Sequence, residues 1–133
     1  MTVVEFQDRI DGATREVAQS YAKAVKEVEE LKKKINDLEL SISNKSAETS
    51  EDMDQLSSAL DMLNELTDSL ILRSGRAWDE YKKIEYDCKT SAFESDGLSG
   101  LRYLCKKTDE FAADLLCYSM ALFKRKDVQN SLP

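Results

Sequence analysis

The sequence predicts an all-α protein, an elongated antiparallel three-helix bundle whose helices pack like those of a coiled coil. The 133-residue chain has one proline, Pro133, and four glycines, whereas strands and tight turns normally need more of both. Apolar residues recur at alternating spacings of three and four, as in helices that pack at shallow angles. Polar segments at 44–49 and 91–97 interrupt this pattern twice, so we expect three helices.

The first helix is predicted over residues 2–43. One apolar register consists of Val3, Ile10, Val17, Ala24, Leu31 and Leu38. The second register consists of Tyr21, Val28, Ile35 and Ile42. A helix of this length extends about 60 Å, which is wider than a monomeric globule of this size. The sequence therefore predicts a rod.

The second helix is predicted over residues 50–90. Its seam consists of Met53, Leu56, Leu60, Leu63, Thr67, Leu70, Ser74, Ala77, Tyr81, Ile84 and Cys88. Further apolar side chains flank this seam, namely Ala59, Leu66, Ile71 and Trp78. A helix with so wide an apolar face contacts more than one neighbour.

The third helix is predicted over residues 98–126, within a single bundle domain of residues 1–126 that precedes a flexible tail at 127–133. Its expected seam consists of Leu101, Leu104, Thr108, Phe111, Leu115, Tyr118 and Leu122. Because this helix is shorter than the other two, it leaves one end of the rod with only two helices. That mismatch is a first indication of self-association or of a partner helix.

Charge and composition argue against several functions. The chain carries 19 basic and 26 acidic side chains, a formal charge of −7, which repels nucleic acids and anionic membrane surfaces. No apolar run reaches the roughly 18 residues that a membrane span requires.

Catalytic and metal-binding patterns are missing from the sequence. Histidine, the commonest general base and zinc ligand, does not occur, and no glycine-rich phosphate loop or calcium-binding loop is present. Acidic pairs at helical spacing, such as Asp61 with Glu65, are expected on a solvated face. The sequence predicts no enzyme, no cofactor, no metal site and no small-molecule substrate.

Three cysteines, Cys88, Cys105 and Cys117, form no C-x-x-C pair. The polar N-terminus does not resemble a secretory signal peptide. Unpatterned cysteines without an export signal favour a reducing, cytoplasmic location.

A second apolar stripe on the third helix is the main functional signal. Leu116, Met120 and Phe123 follow one another at spacings of four and three, beside the predicted seam. A helix that is apolar on two sides must be buried on both. We interpret the stripe as an interface with a protein partner or a second copy, the alternative being a fold that buries it within the monomer.

A weaker candidate patch lies on the second helix. Leu72 and Tyr86 are predicted to point outward from the seam, with Trp78 beside them. Tyrosine and tryptophan are favoured interface residues, although both also occur at the margins of helical bundles.

Charge is also uneven along the chain. Between Asn44 and Leu72 there are seven acidic residues and one basic residue, Lys45. This segment could steer a basic partner or align two antiparallel copies, and a solvated acidic face explains it equally well.

The leading functional prediction is a protein–protein interaction module, such as an adaptor, a chaperone-like binder or an assembly subunit, with a homo-oligomer as the expected state. Two alternatives stay open. A dimeric membrane-sculpting rod of the BAR type has a comparable architecture, but it needs a basic face. The other alternative is a small helical secretion-system substrate, but the sequence has no W-x-G turn and its cysteines argue against export. An acidic mimic of nucleic acid ranks below both.

Overall fold

Three long helices make up the described part of the chain. The computed structural model describes residues 2–44, 50–91 and 98–131, with side chains as far as Lys124. Helix α1 spans Val3–Asn44, α2 spans Ser50–Thr90 and α3 spans Leu98–Ser131. All three pack against one another, and no strand occurs among the described residues. The predicted all-α bundle is confirmed.

The predicted helix boundaries agree closely with the structure except at the end of α3. The backbone of α3 stays helical to Ser131, past the predicted end at residue 126. Residues 127–131 therefore extend the helix, and the flexibility predicted for 127–133 stays a prediction. At 34 residues α3 is still the shortest helix, against 42 for α1 and 41 for α2. The mismatch in length is smaller than the sequence indicated.

Helix α1 begins with a capping box. The backbone N–H of Glu5 donates to Oγ1 of Thr2 at 3.2 Å, and the N–H of Thr2 donates to Oε2 of Glu5 at 3.1 Å. These reciprocal bonds satisfy donors that the first helical turn leaves without partners. At α2, acidic Glu51 and Asp52 occupy the first turn and basic Lys89 the last, which complements the helix dipole at both ends.

The core consists of two clusters along the rod. The larger core cluster contains Ala24, Val28, Leu31, Ile35, Ala59, Leu60, Leu63, Leu70, Ala112, Leu115 and Leu122. The smaller core cluster contains Phe6, Ile10, Tyr81, Ile84, Cys88, Leu101 and Cys105. Four of the described threonine and serine residues are buried, and the hydroxyl of each donates a hydrogen bond. Thr67 and Thr108 donate to the carbonyl oxygens of Leu63 and Leu104 at 2.7 and 2.8 Å, so neither hydroxyl is left unsatisfied in the interior.

Contacts between side chains show the direction of each helix. Arg9, near the start of α1, forms a salt bridge with Asp87, near the end of α2, so these helices are antiparallel. The rings of Tyr21 on α1 and Phe111 on α3 meet edge to face at 5.7 Å. Further along both helices, Lys32 lies 4.5 Å above the ring of Tyr118. Helices α1 and α3 therefore run parallel, as an up-down-up bundle requires.

Candidate interaction face

The predicted apolar stripe of α3 lies along a shallow groove between α2 and α3. Asn64 lines the groove from α2. From α3 the groove is lined by Leu116, Ser119, Met120, Ala121, Phe123 and Lys124. The structure thus brings Leu116, Met120 and Phe123 together on one surface. We call this surface, with its α2 border described below, the α2–α3 face.

The three stripe residues differ in how much their own chain covers them. Met120 is 64% exposed and Leu116 is 40% exposed. Phe123 is half-buried, because it packs against the larger core cluster. Leu116 and Met120 are therefore the apolar side chains that the fold leaves most accessible at the groove.

The seam of α3 differs from the predicted one in its second register. Leu104, Phe111 and Tyr118 were expected there, and all three are only half-buried. The second register of the observed core instead contains the smaller side chains Cys105, Ala112 and Ser119, each at most 3% exposed. Small side chains let α3 approach the core closely, while the aromatic rings fill its margin beside α1. Apolar periodicity alone could not separate these two neighbouring registers.

One hydrogen bond at the groove fixes how α2 and α3 align. The Ser119 hydroxyl, only 3% exposed, donates to Oδ1 of Asn64 at 3.2 Å. A second bond joins the same helices further along, from the Ser74 hydroxyl to Oδ1 of Asp109 at 3.3 Å. No apolar pattern marks these polar residues, and sequence reasoning missed their pairing.

The α2 border of the groove carries a further exposed apolar residue. In the antiparallel register that Asn64 and Ser119 set, Ile71 of α2 faces Ala112, one turn from Leu116. Ile71 is 45% exposed and its neighbour Leu72 is 61% exposed. Leu72 points about 100° away from Ile71 around the helix and is not among the residues that line the groove, so the structure does not bring the predicted candidate Leu72 together with Leu116. Elsewhere Leu40 and Tyr103 are exposed singly, as on most protein surfaces, and Met62, 51% exposed, lines a groove between α1 and α2 with Leu31 and Leu66.

Trp78 and Tyr86 do not join Leu72 in one patch. Trp78 is half-buried against the smaller core cluster and meets Tyr81 edge to face at 5.7 Å. Tyr86 is 68% exposed, but it lies about 21 Å along α2 from Leu72 at 1.5 Å per residue. The structure thus places Trp78 at the margin of the core and Tyr86 alone on the surface.

The cysteines differ sharply in accessibility. Cys88 and Cys105 are buried and Cys117 is exposed, and all three are free thiols. Burial raises the pKa of the Cys88 and Cys105 thiols, which disfavours the reactive thiolate. Cys117 directly follows Leu116 in α3, so it is a natural probe of the α2–α3 face.

Another concavity lies between α1 and α2, toward the end of the rod that holds Arg9. This cavity of about 340 Å³ has Leu101 and Thr108 of α3 among its lining residues. Its charged lining residues are Glu16, Arg73, Arg76 and Glu80. Two acidic and two basic side chains give the cavity no net charge with which to select a charged ligand.

The described residues contain neither a candidate metal site nor a candidate membrane-spanning helix. Among residues 2–44, 50–91 and 98–124, no group of three or more Cys, Asp or Glu side chains is placed to hold a metal ion. In the same part of the chain, no helix combines the length and apolar character that crossing a bilayer requires.

Comparison with known proteins gives no relative. No family model matches the chain, and neither a curated protein nor a solved structure matches it. The α2–α3 face is therefore the feature from which a function can be inferred.

Proposed function

We propose that this protein is a non-enzymatic protein–protein interaction module, of the adaptor, chaperone-like or assembly-subunit type, that binds another helix through its α2–α3 face. The observation that carries this proposal is the exposure of Leu116 and Met120 side by side in a groove. Ile71 of α2, which is 45% exposed and faces Ala112 in the register of the two helices, extends the apolar surface to α2. The occupant is a helix of a protein partner or of a second copy.

The exposed apolar side chains at this face contribute favourably to association. Full burial of a Leu, Ile or Met side chain contributes roughly 1.5–3 kcal/mol. Because Leu116 is already more than half covered, its remaining contribution is smaller than that of Met120. Leu116, Met120 and Ile71 together contribute on the order of a few kcal/mol, and further contacts with the partner must help to offset the entropic cost of association.

We also propose a reducing, cytoplasmic setting for this function. Three free cysteines support it, because an exposed thiol such as Cys117 would be prone to oxidation or exchange in an oxidising compartment.

Self-association is tested by the mass in solution of the native chain and of Leu116→Asp/Met120→Asp. Leu40→Asp is the matched control, because Leu40 is 60% exposed on α1. We expect the native chain and the control to share one mass, and the double variant to fall to the monomer mass of 15.1 kDa if a second copy covers the face. A native chain and double variant that are both monomeric and equally stable in urea contradict self-association. In that case the proposed occupant of the α2–α3 face is a helix of a different protein.

A further inference from the structure

We infer that the occupant of the α2–α3 face is a basic amphipathic helix of a partner protein, with its apolar stripe in the groove and its Lys or Arg side chains along one acidic border. This inference rests on the proposed function and specifies the partner's chemistry. It follows from the charges along the groove.

The acidic border belongs to α2. Asp54, Asp61 and Asp68 are spaced by seven residues and all three are exposed, so they form a row along one edge of the helix. Asn64, which lines the groove, follows Asp61 by three positions and precedes Asp68 by four. Residues at these spacings are neighbours on a helix surface, so the acidic row borders the groove.

The carboxylates of this row have no cationic partner within the described chain. No salt bridge or hydrogen bond joins Asp54, Asp61 or Asp68 to any residue of 2–44, 50–91 or 98–124. Their charge is therefore available to a partner. By contrast, Glu85 on α2 is already paired with Lys89 at 3.5 Å.

The other border of the groove is uncharged over most of its length. Ala113 and Cys117 are exposed on α3 beyond Leu116 and Met120, and Lys124 comes only at the end of the groove. A complementary helix therefore needs basic side chains on one flank and small or uncharged side chains on the other. This asymmetry gives the complex a preferred register.

The acidic row flanks the apolar floor at Asp61 and Asp68 and continues along α2 to Asp54, about 9 Å beyond Leu60. In the register that Asn64 and Ser119 set, Thr67 faces Leu116 and Leu60 faces Phe123. From Asp54 to Asp68 the row extends about 21 Å, or roughly four helical turns. A partner helix of about that length can place apolar residues at i, i+3 or i+4, and i+7 in the groove while its basic flank follows the row.

Charge favours such a partner over a second copy. Every copy of this chain carries a formal charge of −7 and the same acidic row. Two copies approaching through these faces therefore repel each other at long range, whereas a basic helix is attracted.

The test uses two designed 21-residue peptides with identical leucine stripes. One carries lysine along one flank, and the other carries glutamate at the same positions. Binding to the full chain is measured by isothermal titration calorimetry at about 50 mM and about 500 mM salt, because exposed charges are strongly screened at the higher concentration. We expect the lysine peptide to bind roughly tenfold or more tightly than the glutamate peptide at low salt, with a smaller ratio at high salt.

Variants of the chain assign this preference to the groove. Asp61→Asn/Asp68→Asn should reduce the preference for the lysine peptide roughly three- to tenfold, with little effect on stability. Asp114→Asn is the matched control, because Asp114 is exposed on α3 away from the groove, and it should change nothing. Leu116→Asp/Met120→Asp should abolish binding of both peptides.

Four outcomes would overturn the inference. Equal affinity for the two peptides would show that the acidic row does not take part in recognition. An equal effect of Asp114→Asn and Asp61→Asn/Asp68→Asn would show the same, and in both cases the proposed function stands. A native chain that dimerises through Leu116 and Met120 at both salt concentrations would assign the face to a second copy. If neither peptide binds and the chain is monomeric, both the inference and the proposed function fail.

Discussion

Nη1 of Arg9 on α1 lies 2.5 Å from Oδ2 of Asp87 on α2, joining two residues that are 78 positions apart in the sequence. Nε of the same guanidinium lies 3.7 Å from Oε1 of Glu80, two helical turns before Asp87 on α2. The hydrogen bond to Asp87 raises the pKa of Arg9 above its usual value. This charge pair joins the beginning of α1 to the end of α2, beside Ile10 and Cys88 of the smaller core cluster.

The Arg9–Asp87 pair should contribute measurably to stability. Partly exposed ion pairs typically contribute up to about 1 kcal/mol, and charge-assisted hydrogen bonds lie at the upper end of such values. We expect a double-mutant cycle of Arg9→Ala and Asp87→Ala, measured by urea denaturation, to give a coupling energy of about 1 kcal/mol. The Lys23–Glu27 pair, exposed on α1, is the comparison and should give less than half that value. Equal couplings would show that the cross-helix pair is no stronger than an ordinary surface pair.

Three helical glycines are sites where alanine should stabilise the protein. A Cβ added at Gly12, Gly75 or Gly100 would meet no atom within 4 Å other than its chain neighbours and the local helix backbone, and α2 continues through Gly75 without a break. Each Gly→Ala substitution should raise the free energy of unfolding by about 0.5–1 kcal/mol. Ala113→Gly, at an exposed position of α3, is the reverse control and should lower it by a similar amount. A loss of stability in Gly75→Ala would indicate that this glycine has a role in flexibility or binding.

The thiols should react in a fixed order. Cys117 is exposed, whereas burial raises the pKa of Cys88 and Cys105. We expect a thiol reagent such as Ellman's reagent to modify one thiol of the native protein rapidly, and the other two only as fast as the protein unfolds. Cys117→Ser should remove the fast phase alone. Two fast thiols would contradict the packing of the smaller core cluster. Protection of Cys117 by the lysine peptide would support binding at the α2–α3 face.

The hydrogen bond between Tyr81 and Glu85 should make the stability of the protein fall at both high and low pH. The Tyr81 hydroxyl donates to Oε2 of Glu85 at 2.7 Å. Burial, followed by this bond, raises the pKa of Tyr81, and the bond lowers the pKa of Glu85. Because the folded pKa of Tyr81 is raised, its contribution is present below the unfolded value near 10 and is lost at higher pH. For Glu85 the sign is opposite, since a lowered pKa gives stability that is lost as the pH falls below about 4.

Tyr81→Phe isolates this effect. The variant keeps the ring that packs against Trp78 but removes the hydroxyl, so its unfolding energy should vary less than that of the native protein above pH 9. Identical pH profiles measured by chemical denaturation would show that Tyr81 does not contribute to the alkaline loss of stability.

Periodicity predicted most of the fold. It misplaced positions near the starts of α1 and α2, where Val3 and Met53 are exposed and Phe6 is buried, and its largest error lies in α3. There Phe111 and Tyr118 are larger and more apolar than Ala112 and Ser119, so hydrophobicity favoured the aromatic residues as the seam. In the folded bundle the aromatic residues interact with Tyr21 and Lys32 of α1, while the small ones are buried. The choice between neighbouring registers depends on how closely the helices approach, and a single sequence does not contain that distance.

The candidate site was predictable only in part, for the same reason. The stripe of Leu116, Met120 and Phe123 was apparent from its spacing, but the partial burial of Phe123 depends on α2 and α3 packing together. The sequence grouped Leu72, Trp78 and Tyr86 in one candidate patch. The bundle leaves Leu72 exposed and packs Trp78 against the smaller core cluster.

By itself, the sequence of this protein determined three helices, their approximate boundaries and the excess of apolar surface on α3. These are local properties, because the side-chain spacing along one helix decides which residues share a face. Only the tertiary structure decided that Asn64 meets Ser119, that the groove lies between α2 and α3, and that an acidic row borders it. Those relationships join residues far apart in the chain, and their geometry exists only after the three helices have packed together.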